Sequence, residues 1–293
     1  MTPCRVTSRY RRVFLLFLIV SALLLPAPSA VATRHAHQAV TPLAGGVNDS
    51  SCRLSTAHPR PVVLVHGTFE NAVDNWAVLG PYLAGRGYCV FSFDYGKRGV
   101  PLVYGLGPIE DSAGELATEV DTVLAATGAS TVDIVGHSQG GMMPRYYMKF
   151  LGGSPKVNAL VGLTPSNHGT TANGLSRLAN TIGVTGAVAD SAPAVSEQLV
   201  GSDFMRRLNA GGDTLPGVHY TVIATRYDEV VTPYQSQFLT GPDVRNILVQ
   251  DLCTVDLSEH LALGTVDPIA FHEVVNALDP AHATRTNCLS ALS

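Results

Sequence analysis

The chain has 293 residues, 46% hydrophobic and 14% charged, with a formal net charge of −4. This composition excludes a disordered or fibrous protein and is large enough for one sizeable core. The acidic balance argues against nucleic acid or an anionic membrane surface as a partner.

Residues 1–32 read as a secretory signal peptide. Arg5, Arg9, Arg11 and Arg12 precede an apolar stretch from Val13 to Leu25, and the small residues Ala30-Val31-Ala32 supply a cleavage site. The apolar stretch is shorter than the ~20 residues a spanning helix needs. Later segments are too short or too polar to span, so a soluble, extracellular chain without a transmembrane anchor is expected. A cut after Ala32 leaves 293 − 32 = 261 residues and, with four of the 19 basic residues removed and none of the 23 acidic ones, a net charge of 15 − 23 = −8. Residues 33–51 read as a flexible tail and 52–293 as a single α/β domain.

Export also bears on the cysteines that remain, Cys52, Cys89, Cys253 and Cys288. An even number in an exported chain points to two disulfides. Three pairings are open, and 52–89 with 253–288, the nearest neighbours in sequence, is favoured. Neither a CxxC nor an HExxH spacing supports a metal site.

In chain order, PVVLVHG (61–67) predicts a buried strand, as does YCVFSFDY (88–95). Residues 112–128 predict a helix with a Ser112–Glu115 capping box, an apolar face of Leu116, Val120, Val123 and Leu124, and a stop at Gly128. A strand at 131–136, a helix at 138–151, and strands at 157–163, 219–225 and near 246–252 follow. The last helix, 267–278, has Asp267 as its cap and Pro268 in its first turn. Alternating strands and helices imply a mostly parallel sheet with helices on both faces, and chemistry at the carboxyl ends of the strands. Between the sheet halves, residues 166–216 carry two weak helical patches, near 172–184 and 193–209, where a lid or a fixed cap would sit.

At one strand end stands Gly136-His137-Ser138-Gln139-Gly140. Between a strand and a helix, G-x-S-x-G reads as a nucleophile elbow, a turn too sharp for side chains at its two glycines. A serine hydroxyl needs a base held by an acid, which in such folds follow in the order Ser, Asp or Glu, His. Asp228, just past the strand at 219–225, is the candidate acid, with Glu229 its local competitor. His260, between a strand and the last helix and read as lying on a loop, is the candidate base. His272 reads as a surface residue of the last helix and His282 as part of the tail. Backbone N–H groups of Thr68 and Gln139 would form the oxyanion hole, with the Thr68 hydroxyl as a third donor. An incidental serine turn and an ordinary loop carboxylate are the bland alternatives.

The stretches PVVLVHGT, GHSQGGMMPRYY and YDEVVTP, with the spacing from His260 to Asp267-Pro268, resemble secreted bacterial triacylglycerol lipases of the α/β-hydrolase superfamily. They are also similar to fungal lipases of the lipase B type. The resemblance spans roughly residues 52–290 and matches both favoured cysteine pairs to family disulfides. It implies an α/β-hydrolase fold with a cap or lid inserted before the acid strand. It further implies carboxylic ester hydrolysis through an acyl-enzyme, without a cofactor; the lack of an Arg or Lys cluster in residues 170–200 points to neutral acyl esters or lipids, a monomer is expected, and action at an oil–water interface is left open. An acyltransferase or polyester hydrolase on the same residues, or a binding protein on a hydrolase fold, are the alternatives.

Overall fold

The computed structural model describes residues 46–184 and 191–289. The expected signal peptide and most of the expected tail lie outside the described residues. Among those described, a six-stranded sheet runs in the order β2-β1-β3-β4-β5-β6. The strands are β1 (Val62–Val65), β2 (Val90–Ser92), β3 (Val132–His137), β4 (Val157–Leu163), β5 (His219–Ala224) and β6 (Val244–Leu248). Every neighbouring pair is parallel. The chain steps outward from β1 to β2, then crosses back to β3 on the other side of β1. The crevice at this reversal, between the carboxyl ends of β1 and β3, is where a parallel sheet offers a site.

Strand residues alternate between two cores. Val63, Val65, Ile134 and Leu160 point to one side. There they meet α3 (Ile109–Thr127) and α4 (Gln139–Phe150). Val62, Leu64, Val135 and Val161 point to the other. That face is covered by Trp76, Leu79 and Leu83, around α1 (Ala72–Asn75) and α2 (Leu79–Ala84), and by α10 (Pro268–Leu278). With both faces covered, β1, β3 and β4 are buried along nearly their whole length and mostly apolar, as buried parallel strands are, while the outer strand β6 exposes Arg245 and Asn246.

Three local readings differ from the structure. Helix α3 begins at Ile109, one turn earlier than the capping box placed it. Ser112 lies inside the helix and donates to the Pro108 carbonyl at 3.0 Å, while Glu115 Oε1 accepts from the Gly96 N–H at 3.1 Å. The free N–H of Ile109 is met instead by Glu197 Oε2 at 2.7 Å, a cap supplied from elsewhere in the chain. The end of the expected tail is ordered: Val47 is buried and bridges Val90, and the Asn48 amide pairs twice with the Ser92 backbone. These residues cover the outer edge of β2, whose backbone would otherwise stand open. Downstream, the expected strand near 246–252 is β6 only as far as Leu248, and continues as α8 (Val249–Leu252).

The cysteines form Cys52–Cys89 and Cys253–Cys288 bridges. No helix among the described residues is long and apolar enough to cross a membrane.

Candidate active site

Ser138 sits between β3 and α4 with φ 55° and ψ −119°, outside the relaxed regions for a residue with a side chain. Packing holds it there. A Cβ at Gly136 would lie 1.9 Å from the Gly140 carbonyl oxygen, and one at Gly140 would lie 2.0 Å from that of Val65. Only glycine at both positions lets the turn close against β1. Strain held in place by its surroundings is typical of residues that must project a reactive group.

Past the end of β5, Asp228 is buried and saturated with donors. Its Oδ1 accepts from the N–H groups of Val230 and Val231 at 2.8 and 2.7 Å. Its Oδ2 accepts from Gln237 Nε2 and from His260 Nδ1, both at 2.8 Å. Glu229 is half-buried and holds no such contact; burial raises its carboxyl above the usual range. Of the two carboxylates, Asp228 is therefore the one that meets His260.

His260 is not on a loop. It is the first residue of a short helix, α9 (His260–Thr265), capped by the Glu259 carboxylate on the N–H groups of Leu261 and Ala262. Its ring is fully buried, and its Nε2 has no partner among the described residues. Burial would lower its pKa, but Asp228 above all, with Glu70 and Glu259, holds it above the ordinary histidine value. His272 is occupied elsewhere, against the hydroxyls of Thr286 and Thr284 at 2.7 and 3.1 Å, and is half-buried rather than on the surface. His282 is paired with Asp279 in the C-terminal segment.

Across the crevice, the N–H groups of Thr68 and Gln139 donate to no group among the described residues. The Thr68 hydroxyl, expected as a third donor, gives its proton to Gln139 Oε1 at 2.7 Å. Gln198, which sequence reasoning missed, closes the arrangement by donating to Thr68 Oγ1 at 2.8 Å and to Gln139 Oε1 at 3.1 Å. "SEQLV" carries no local signal for such a role.

Phe69, Leu106, Leu178, Ala192, Val230 and Val231 pack into a separate buried apolar cluster. Residues 166–216 form α5 (Ala172–Ile182), α6 (Pro193–Glu197) and α7 (Asp203–Asn209). Gln198 ties this segment to the crevice, while Arg145 of α4 holds Asn167, Asn209 and Asp213. Residues 185–190 of the expected lid lie outside the described residues. No group of His, Cys, Asp and Glu among the described residues could hold a metal.

A parallel sheet with a strained serine elbow at its switch point, beside a buried carboxylate–imidazole pair, defines an α/β-hydrolase fold. The family profile for lipase (class 2) matches residues 59–263, and the chain belongs to that family. Triacylglycerol lipases of Pseudarthrobacter phenanthrenivorans and Burkholderia plantarii are each 37% identical to it over 98 residues, 29% of this chain and 27% and 24% of theirs. The chain thus matches about a quarter of the length of these curated relatives. Lipase B of Aspergillus fumigatus (TM-score 0.59, 20% identity, 78% of this chain and 54% of that one) has a similar fold. So does the mature Bacillus licheniformis lipase BlEst2 (TM-score 0.56, 17% identity, 78% and 94%).

Proposed function

We propose that the protein is an exported serine hydrolase that cleaves neutral carboxylic esters of lipid type, with Ser138 as nucleophile, His260 as base and Asp228 as acid. The observation that carries this reading is the Asp228–His260 contact at the edge of the crevice that holds Ser138. Nδ1 of His260 gives its proton to Asp228, which leaves Nε2 as an acceptor with no other partner. That nitrogen takes the Ser138 proton as Oγ attacks the ester carbonyl. The oxyanion forms against the Thr68 and Gln139 N–H groups, and the positive end of α4 adds its field. Collapse expels the alcohol, which takes the proton from His260, and water then repeats the sequence to release the acid.

Residues 170–200 contain a single basic residue, Arg177, so an anionic head group finds no cationic cluster there. The two disulfides agree with an oxidising location outside the cell, after removal of residues 1–32. The working form on this reading is one domain and one subunit. A panel of nitrophenyl acyl esters, glycerides and a phosphodiester, run with and without competing alcohols, tests the proposal. A higher kcat/KM on the phosphodiester, or transfer to alcohol exceeding hydrolysis, would overturn it.

A further inference from the structure

A second carboxylate–imidazole pair lies directly behind the first. Glu70, in the loop after β1, places Oε2 at 2.8 Å from Nδ1 of His137, the residue before Ser138. Nε2 of His137 lies 3.2 Å from the backbone carbonyl oxygen of His260. The rings of His137 and His260 are 5.0 Å apart, and the ring of His137 is buried. This pair bridges the first-strand loop, the elbow and the histidine-bearing helix, whose parts are far apart in sequence.

The hydrogen bonds constrain the protons. A carbonyl oxygen can only accept, so Nε2 must donate. Glu70 Oε2 also accepts the Gly67 N–H at 2.8 Å, as an ionised carboxylate does. Burial would raise the Glu70 carboxyl, but His137 beside it, with His66 and His260 further off, holds it below its ordinary value. Against an ionised Glu70, Nδ1 donates as well, and a ring that donates from both nitrogens is an imidazolium. His66 provides the contrast within the same site. Its Nδ1 donates to the Gly67 carbonyl at 2.8 Å while its Nε2 accepts from the Tyr95 N–H at 3.4 Å, which is the pattern of a neutral ring.

Two glycines make room for the pair. A Cβ on Gly67 would lie 2.3 Å from Glu70 Oε2, and one on Gly264 in α9 would lie 2.1 Å from His137 Cδ2. Neither requirement belongs to the elbow turn itself. The pair is thus accommodated from both sides, by the loop after β1 and by the helix that begins with His260.

We propose that Glu70 and His137 form a buried carboxylate–imidazolium pair that positions His260, with His137 gripping its backbone carbonyl while Asp228 holds its ring. The inference rests on the reading of His260 as the base. Two anchors at opposite ends of one residue leave little freedom to the ring, and a misplacement of about 1 Å can cost on the order of 10²-fold in rate. Both Glu70 and His137 are positioning residues and touch no reacting atom.

Nitrogen-resolved NMR of the histidine side chains in the wild-type protein at neutral pH tests the pair without any variant. The expected spectrum shows His137 protonated at both nitrogens, with a through-hydrogen-bond coupling from Nε2 to the His260 carbonyl carbon. A ring bearing one proton, or no such coupling, overturns the proposal. Glu70→Gln keeps the shape and an acceptor but removes the counter-charge. It should lose the second ring proton and lower kcat by about 10- to 100-fold with KM within about twofold. Wild-type kcat in folded Glu70→Gln overturns the positioning role. If Ser138→Ala keeps activity, it is instead the assignment of the nucleophile that fails, whatever the spectrum shows.

Discussion

Asp228 Oδ2 and His260 Nδ1 stand 2.8 Å apart with neither side chain exposed to solvent, and three further donors hold the same carboxylate in place. A carboxylate fixed this way faces Nδ1 of the imidazole and chooses which ring nitrogen carries the proton. The consequence is a histidine whose affinity for a second proton is raised, although burial opposes it.

The pH dependence follows from that sign. On the proposed mechanism His260 works when neutral, so activity should fall as the pH drops through a value raised above the ordinary 6.5 of histidine. A kcat/KM profile on a soluble nitrophenyl ester should therefore have its acid midpoint above 6.5. In Asp228→Asn the midpoint should move down and kcat should fall by about 10⁴-fold, because the correct tautomer is no longer enforced. An Asp228→Asn enzyme with the wild-type profile would remove Asp228 from the mechanism.

The elbow glycines should tolerate nothing larger. Gly140→Ala places a Cβ 2.0 Å from a backbone oxygen of the neighbouring strand, where neither side can yield cheaply. Little folded protein is expected by circular dichroism. Gly114→Ala, inside α3 with open space around it, is the control and should gain about 0.5–1 kcal/mol. Equal melting temperatures for the two variants would contradict the packing described for the elbow.

Thr68→Val keeps the backbone donor and removes the hydroxyl. In the structure that hydroxyl orients the Gln139 side chain rather than pointing a proton at the crevice. The expected loss in kcat is accordingly about tenfold, with KM nearly unchanged. A loss of ~10²–10³, as when a side-chain oxyanion donor is deleted, would show that the hydroxyl turns to the substrate during the reaction.

The two disulfides should differ in their effect. Cys253–Cys288 closes a sequence separation of 35 residues that contains both α9, with His260, and α10. Its removal should cost roughly 3–4 kcal/mol by loop entropy and also lower kcat. Cys52–Cys89, with a separation of 37, ties the N-terminal segment to β2, and its removal should lower the melting temperature by a similar amount while leaving kcat close to wild type. Thermal melts and kinetics on the two double alanine variants measure both. Loss of activity only on removing Cys52–Cys89 would reverse the assignment.

Much of the fold was legible because buried parallel strands write themselves as short apolar runs, and because Gly136 answers to contacts within its own turn, while Gly140, which answers to the backbone of β1, shows itself in the spacing of the motif. The position of Asp228 just past β5 was legible from the end of the apolar run before it. Long-range polar contacts were not. The cap of α3 comes from Glu197, far along the chain, while Ser112 and Glu115 sit at capping spacing by coincidence and serve Pro108 and Gly96. Val47 and Asn48 looked like tail because a segment that protects an edge needs only one apolar side chain and one amide. Gln198 is chemically ordinary, and only the folded chain brings it to Thr68. Glu70 and His137 had a signal that went unread: two ionisable residues inside otherwise tightly packed motifs, HGTFEN and GHSQG.

The most direct measurement is covalent. The protein should react with a fluorophosphonate, and peptide mapping by mass spectrometry should place the adduct on Ser138. Labelling should vanish in Ser138→Ala and slow greatly in His260→Ala and Asp228→Asn, in step with the loss of ester hydrolysis. An adduct on another residue, or hydrolysis that survives Ser138→Ala, would contradict the assignment of the nucleophile and with it the proposed mechanism.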